Sequence, residues 1–152
     1  MEKIKWKTKA FNNLLINELY DLYYLRTAIF VVEQNCPYQE IDEKDKKAFH
    51  ILGYYQNKLI AVARVLPPNV SYKEASIGRF AVVKDYRKQN VADELIQQCF
   101  TCVLKNFGNI SIKISAQQYV EKFYNKHGFV STGKTYLEDN IPHVEMLKKC
   151  NL

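Results

Sequence analysis

Hydrophobic and polar positions change period along the chain, and the changes mark out its elements. Lys3, Lys5, Lys7 and Lys9 alternate with Ile4, Trp6, Thr8 and Ala10. A period of two predicts a strand with lysines on a wet face and apolar groups on the other, the lysines also blocking stray edge pairing. From about Asn17, a candidate N-cap, Leu19, Leu22, Tyr23, Ile29 and Phe30 recur at three- and four-residue spacing and predict one amphipathic helix. Ala48 to Tyr55 and Leu59 to Leu66 are apolar-rich runs around Gln56-Asn57-Lys58, the pattern of a hairpin. Pro67-Pro68-Asn69 ends the second run, and Ala75 to Val83 predicts a third strand completing an antiparallel meander.

Beyond a polar turn from Lys84 to Gln89, the residues Ala92, Leu95, Ile96, Cys99, Cys102 and Val103 form one helical stripe, stopped by Asn106 to Gly108. Ile110 to Ala116 reads as a strand. Tyr119, Val120, Phe123, Tyr124 and His127 share one side of a short helix ended by Gly128. Phe129 to Thr132 and His143 to Leu147 read as closing strands around a loop with Glu138, Asp139 and Pro142. This order predicts a single α+β domain over residues 1–152.

Composition narrows the classes. With 152 residues, 47% hydrophobic and 25% charged, the chain has the make-up of a globular domain with a substantial core. No run approaches the ~18 apolar residues of a membrane span, and the start MEKIKWKTK lacks the apolar core of a signal peptide, so the expectation is a cytoplasmic protein without a membrane partner. The net charge of +6 is spread along the chain rather than clustered among aromatics. Nucleic acid is therefore not an expected partner, and a basic nucleic-acid-binding domain is the distant alternative, marked by salt-dependent binding to polynucleotide. Cys99 and Cys102 fall on the apolar stripe well inside a helix, which favours packing over redox chemistry. The three histidines show no ligand spacing, so no metal is expected.

Candidate chemistry gathers at the stretch GRFAVVKDYRKQNVADEL, from Gly78 to Leu95, where a buried strand runs through a basic loop into a helix. Unpaired N–H groups and the positive helix end converge there with Lys84, Arg87 and Lys88, an arrangement suited to phosphate or diphosphate. Asn90, a strong N-cap type, would bond the N–H of Ala92 or Asp93 and compete with such an anion. Arg26, inside the first helical stripe, needs a carboxylate, with Glu33, Asp42 and Asp45 as candidates. Glu33, His50, Glu138, Asp139 and His143 are polar groups at element ends. An imidazole suits a general base near neutrality, and a carboxylate reached through water is equally compatible.

The stretch around Arg87 resembles the acyl-CoA-binding motif of the GNAT N-acetyltransferase superfamily, Arg/Gln-x-x-Gly-x-Gly/Ala; Arg87 and Ala92 match, and Asn90 stands in place of glycine. The chain is similar in particular to the ElaA-type branch through Arg26 to Gln34, Cys36-Pro37-Tyr38, Asp42 to His50, Gly78-Arg79, Ser115-Ala116-Gln117, Phe123 to Phe129 and Glu138 to Met146. The resemblance implies a mixed, mostly antiparallel central sheet flanked by helices and splayed where acyl-CoA enters. It implies acetyl transfer from acetyl-CoA to an amine of a small molecule, by a monomer or homodimer.

For the residues, the resemblance implies that Phe80, Ala81 and Val82 pair with pantetheine through main-chain groups and that Arg87, Lys88, Gln89, Asn90, Val91 and Ala92 wrap the diphosphate. Tyr124 corresponds to the general acid, and His50 or Glu33 is the candidate base. Glu33, Gln34, His50, Arg64, Arg79, Gln117, Asp139 and His143 would line the acceptor pocket. A non-catalytic member that binds a ligand or a protein partner is the alternative.

Overall fold

The structure is a computed structural model and describes residues 2–150. A meander of four antiparallel strands, β1 (Lys5–Ala10), β2 (Phe49–Tyr55), β3 (Lys58–Leu66) and β4 (Ser76–Val82), forms the first half of the sheet. The second half is antiparallel in the order β5 (Ile112–Gln117), β7 (Ile141–Lys148), β6 (Val130–Glu138). The halves touch where Ala75 bridges Ile112 in parallel and Lys113 N–H donates to Ala75 C=O at 2.9 Å. From that hinge β4 and β5 diverge, so the sheet is splayed and the far end of β4 has an open edge.

Two short turns use residues that accept positive φ. Gln56 and Asn57 join β2 to β3, and Asp139 and Asn140 join β6 to β7, all four at φ between 49° and 64°. This is the twist of a two-residue hairpin, which Asn and Asp tolerate. The second turn corrects the expected long loop, because β6 runs on through Glu138 and a register shift between Ser131 and Thr135 at Gly133 (φ 90°) absorbs the irregularity.

Strand alternation gives the first half-sheet two apolar faces. Ile51, Ala61, Ala63 and Val65 pack against helix α2 (Val91–Phe107) through Val91, Leu95, Ile96, Cys99, Cys102 and Val103. Leu52, Leu59, Val62 and Ala81 pack against Leu22 and Leu25 of α1 (Ile16–Arg26) and Ile29 just beyond it. Burying each leucine, isoleucine or valine among them contributes ~1.5–3 kcal/mol. Cys99 and Cys102 are core residues, and burial pushes both thiols above their ordinary range.

Asn17 does not cap α1. The helix begins at Ile16, and Glu18 reaches back to accept from Leu15 N–H at 2.8 Å. Lys7 and Lys9 of β1 close on the same carboxylate at 3.1 and 2.7 Å, so two lysines of the expected wet face are employed. Burial works to raise the Glu18 pKa, but the bonds from Lys9, Leu15 N–H and Lys7 overcome it and lower it to about 2. The expected single helix also changes character: Thr27–Glu33 is π-helical.

Candidate active site

The divergence of β4 from β5 opens a cleft of about 850 Å³. Its floor is β4 itself, and a bulge shapes that floor. The β3–β4 register passes from Val62↔Ala81 to Arg64↔Gly78, so Arg79 and Phe80 together oppose Ala63. Arg79 takes φ 47°, an unusual conformation for a non-glycine residue, and its side chain is fastened by ion pairs to Glu40 and Asp42 and by the Tyr38 ring at 5.6 Å. A bulge of this kind bends the strand and re-aims its groups. Phe80, Ala81 and Val82 line the cleft with no strand on their outer edge among the described residues.

Past the bulge, the loop to α2 places Lys88 and Asn90 at φ 64°. Asn90 thus adopts the left-handed turn that a glycine would make, and its side chain does not cap the helix, which corrects the expected competition. The first helical bond runs from Glu94 N–H to Asn90 C=O at 3.1 Å. The N–H groups of Val91, Ala92 and Asp93 are therefore left for an anion, as at any uncapped helix start. Ala92 borders the cleft, while Val91 turns its side chain into the core and contributes only backbone. Gln89 donates to Asp85 C=O at 3.2 Å. Arg87 borders the cleft but is spent on Glu33, both terminal nitrogens meeting the carboxylate at 3.0 and 3.2 Å.

Tyr124 comes from α3 (Glu121–Lys126) and stands beside the β4 edge, with Phe80 at 5.9 Å and Phe129 at 5.6 Å between ring centroids. It is 7% exposed and borders the cleft. Burial drives its pKa up, so the hydroxyl keeps its proton. Gly128 at φ 94° ends this helix, and Phe129 N–H returns to Tyr124 C=O at 3.1 Å.

The opposite end of the cleft rests on a network of three arginines and three acids. Arg26, fully buried, binds Glu40 at 2.7 Å and Asp45 at 2.8 Å rather than Glu33 or Asp42. Arg64 binds Asp42 at 2.6 Å and Asp45 at 2.9 Å, and Arg79 completes the set through Glu40. Burial would raise the carboxyls of Asp42 and Asp45, yet Arg64 and Arg26 hold both below the usual range. The network fastens the segment after the π-helix, whose Tyr38 and Asp42 line the cleft together with Arg64 and Arg79. Burial pushes the Tyr38 pKa up to about 12.

His50 does not reach the cleft. It shares the α1 face of the sheet with Leu52, directly opposite Arg64 in register, and is completely covered, its Nε2 2.9 Å from Asp45 C=O. Burial lowers its pKa, and it is not among the residues that line the cleft. Gln34 and Gln117 do border the cleft and exchange amide bonds at 3.1 and 3.3 Å, a clasp from the π-helix end to β5. Asp139 sits at the hairpin tip, its C=O accepting from Cys36 Sγ at 3.6 Å. His143 lines the cleft beside Glu138. Among the described residues, no group of three or more His, Cys, Asp and Glu is arranged to hold a metal ion.

A splayed sheet whose central strand is bulged and open, followed by an uncapped helix start, defines the GNAT class of acyl-CoA-dependent transferases. The chain belongs to the Acetyltransferase (GNAT) domain family, matching it over residues 19–150. It is 40% identical over 148 residues to a UPF0039 protein of Schizosaccharomyces pombe, covering 96% of this chain and 97% of that one. It is 34% identical to protein ElaA of Escherichia coli over 148 residues, with the same coverage. The ElaA crystal structure superposes with a TM-score of 0.90 over 97% of this chain and 100% of that one. An acyl-CoA N-acyltransferase from Pseudomonas aeruginosa, 33% identical, gives 0.91 over 96% and 99%.

Proposed function

We propose that the protein transfers an acetyl group from acetyl-CoA to an amine of a small molecule by direct attack on the thioester. The observation that carries this reading is the juxtaposition of the unpaired Phe80–Val82 edge with the buried Tyr124 hydroxyl. A strand edge with no neighbouring strand suits the amides of pantetheine, which pair with it as another strand would, although Val82 C=O already accepts from Arg87 Nε at 2.8 Å. The N–H groups of Val91, Ala92 and Asp93 suit the diphosphate, with Lys88 nearby as a cation. When bound, acetyl-CoA supplies an acyl group activated as its thioester.

The residues then divide the work. A β4 N–H beyond the bulge polarises the acyl carbonyl and holds the charge that develops on its oxygen. Tyr124, protonated because it is buried, gives its proton to the departing thiolate. Gln34, Gln117, Tyr38 and the Arg79 network shape the acceptor end. No helix among the described residues is long and apolar enough to cross a membrane.

The experiment is thiol release from acetyl-CoA over a panel of small primary amines. Release above the rate of hydrolysis supports the reading. Absence of both release and binding at millimolar acetyl-CoA overturns it, and binding without release on any amine favours a non-catalytic module.

A further inference from the structure

We propose that Glu138 and His143 receive the acceptor as its primary ammonium ion, Glu138 holding the cation and His143 Nε2 removing a proton before attack. The inference rests on the acyltransferase reading. His143 lies on the central strand of the second half-sheet, opposite Gln117 on one side and Tyr136 on the other. Its Nδ1 is 2.6 Å from Ile141 C=O. A carbonyl only accepts, so Nδ1 carries the hydrogen and a neutral ring keeps its lone pair on Nε2. That lone pair is 3.3 Å from Oε2 of Glu138, a second acceptor.

With the ring neutral, Nε2 and Oε2 are both acceptors, and a donor placed between them satisfies both. An ammonium group has three N–H donors and satisfies both at once. Glu138 pairs with no lysine or arginine among the described residues, and its side chain is 53% exposed, open to a cation arriving from the cleft mouth. Tyr136 stacks on the imidazole at an interplanar angle of 15° and anchors its own hydroxyl on Ser115, which fixes the ring's plane.

The other charged groups facing this corner are Asp139 at the hairpin tip and, across the cleft, Lys44 and the paired Glu33–Arg87, Asp42–Arg64 and Arg79–Glu40. In the step, the ammonium held by Glu138 gives one proton to Nε2, and the imidazolium later releases it to water. The free amine attacks, the C–S bond breaks, and the thiolate takes the Tyr124 proton. The remaining surplus proton on nitrogen returns to Tyr124, leaving amide and thiol.

The test uses the full chain with n-butylammonium chloride as probe. Without acetyl-CoA, the His143 ring nitrogen resonances should shift with the probe in wild type and not in Glu138→Gln; no shift in wild type at 100 mM overturns the assignment. With acetyl-CoA, Glu138→Gln should raise the probe's KM about tenfold with kcat within about threefold, and His143→Gln should lower kcat about 10²-fold and erase the acid limb of the pH profile. An unchanged KM, or a retained acid limb, overturns it. Glu138→Gln alters an exposed side chain, so its KM and resonance readouts stand even if His143→Gln fails to fold. Wild type that shifts with the probe yet releases no thiol contradicts the acyltransferase reading instead.

Discussion

Arg87 and Glu33 form a two-pronged ion pair at 3.0 and 3.2 Å, while Arg87 Nε donates to Val82 C=O at 2.8 Å. One guanidinium thus ties the end of the π-helix to the end of β4. The pair is well exposed, 38% and 41%, and such pairs contribute up to about 1 kcal/mol. Glu33→Gln should therefore leave the unfolding midpoint in urea almost unchanged. Because His143 takes the proton in this account, kcat should remain within about threefold. A loss of about 10²-fold or more in steady-state kinetics would return the base to Glu33.

Tyr124→Phe should lower kcat by roughly 10²–10⁴ while calorimetry finds acetyl-CoA affinity nearly intact. The same variant has a signature in stability. Burial raises the folded pKa of Tyr124 above its unfolded value near 10. Its contribution is complete below about pH 10 and is lost as pH climbs toward the folded value, because the unfolded chain releases the proton first. Tyr124→Phe should accordingly unfold with a shallower alkaline slope than wild type. Equal slopes would contradict the buried, protonated hydroxyl.

Arg26→Met strips two buried carboxylates of a partner, leaving Glu40 to Arg79 and Asp45 to Arg64 alone. Breaking a buried pair from one side costs about 3–5 kcal/mol. Chemical denaturation should register that loss, whereas Lys46→Met, at an exposed pair with Glu43, should change stability by less than about 1 kcal/mol.

Asn90→Gly should leave acetyl-CoA affinity within about twofold and folding stability within a few tenths of a kcal/mol, because the asparagine side chain takes none of the helix-start donors. Asn90→Val, forced to φ 64°, should cost about 1–2 kcal/mol and weaken binding. Calorimetry on both variants decides the matter, and tighter binding by Asn90→Gly on the scale of one cap interaction, about 1 kcal/mol, would restore the competition that the sequence suggests.

Local pattern made the meander, the stripe of α2 and the strand-to-helix junction legible, because each is written within a few consecutive residues. The loop expected with Glu138, Asp139 and Pro142 is largely strand, because a strand exposed on both faces shows no alternation of apolar and polar positions. What the chain did not disclose depends on distant partners. Nothing near Glu40 marks it as the hub of Arg26 and Arg79, and nothing near Arg87 says that Glu33, rather than an anion, occupies it. His50 and His143 look alike as isolated polar residues at strand ends. Only the sheet register puts one under cover beside Arg64 and the other in the cleft beside Gln117.

Acyl-CoA lying along the open edge of β4 is tested most directly by backbone amide resonances during titration with acetyl-CoA. Saturable shifts should concentrate at Phe80, Ala81 and Val82 and at Val91, Ala92 and Asp93, leaving the lysine face of β1 untouched. An absence of shifts at millimolar acetyl-CoA, or shifts confined to the β1 lysines, would contradict it.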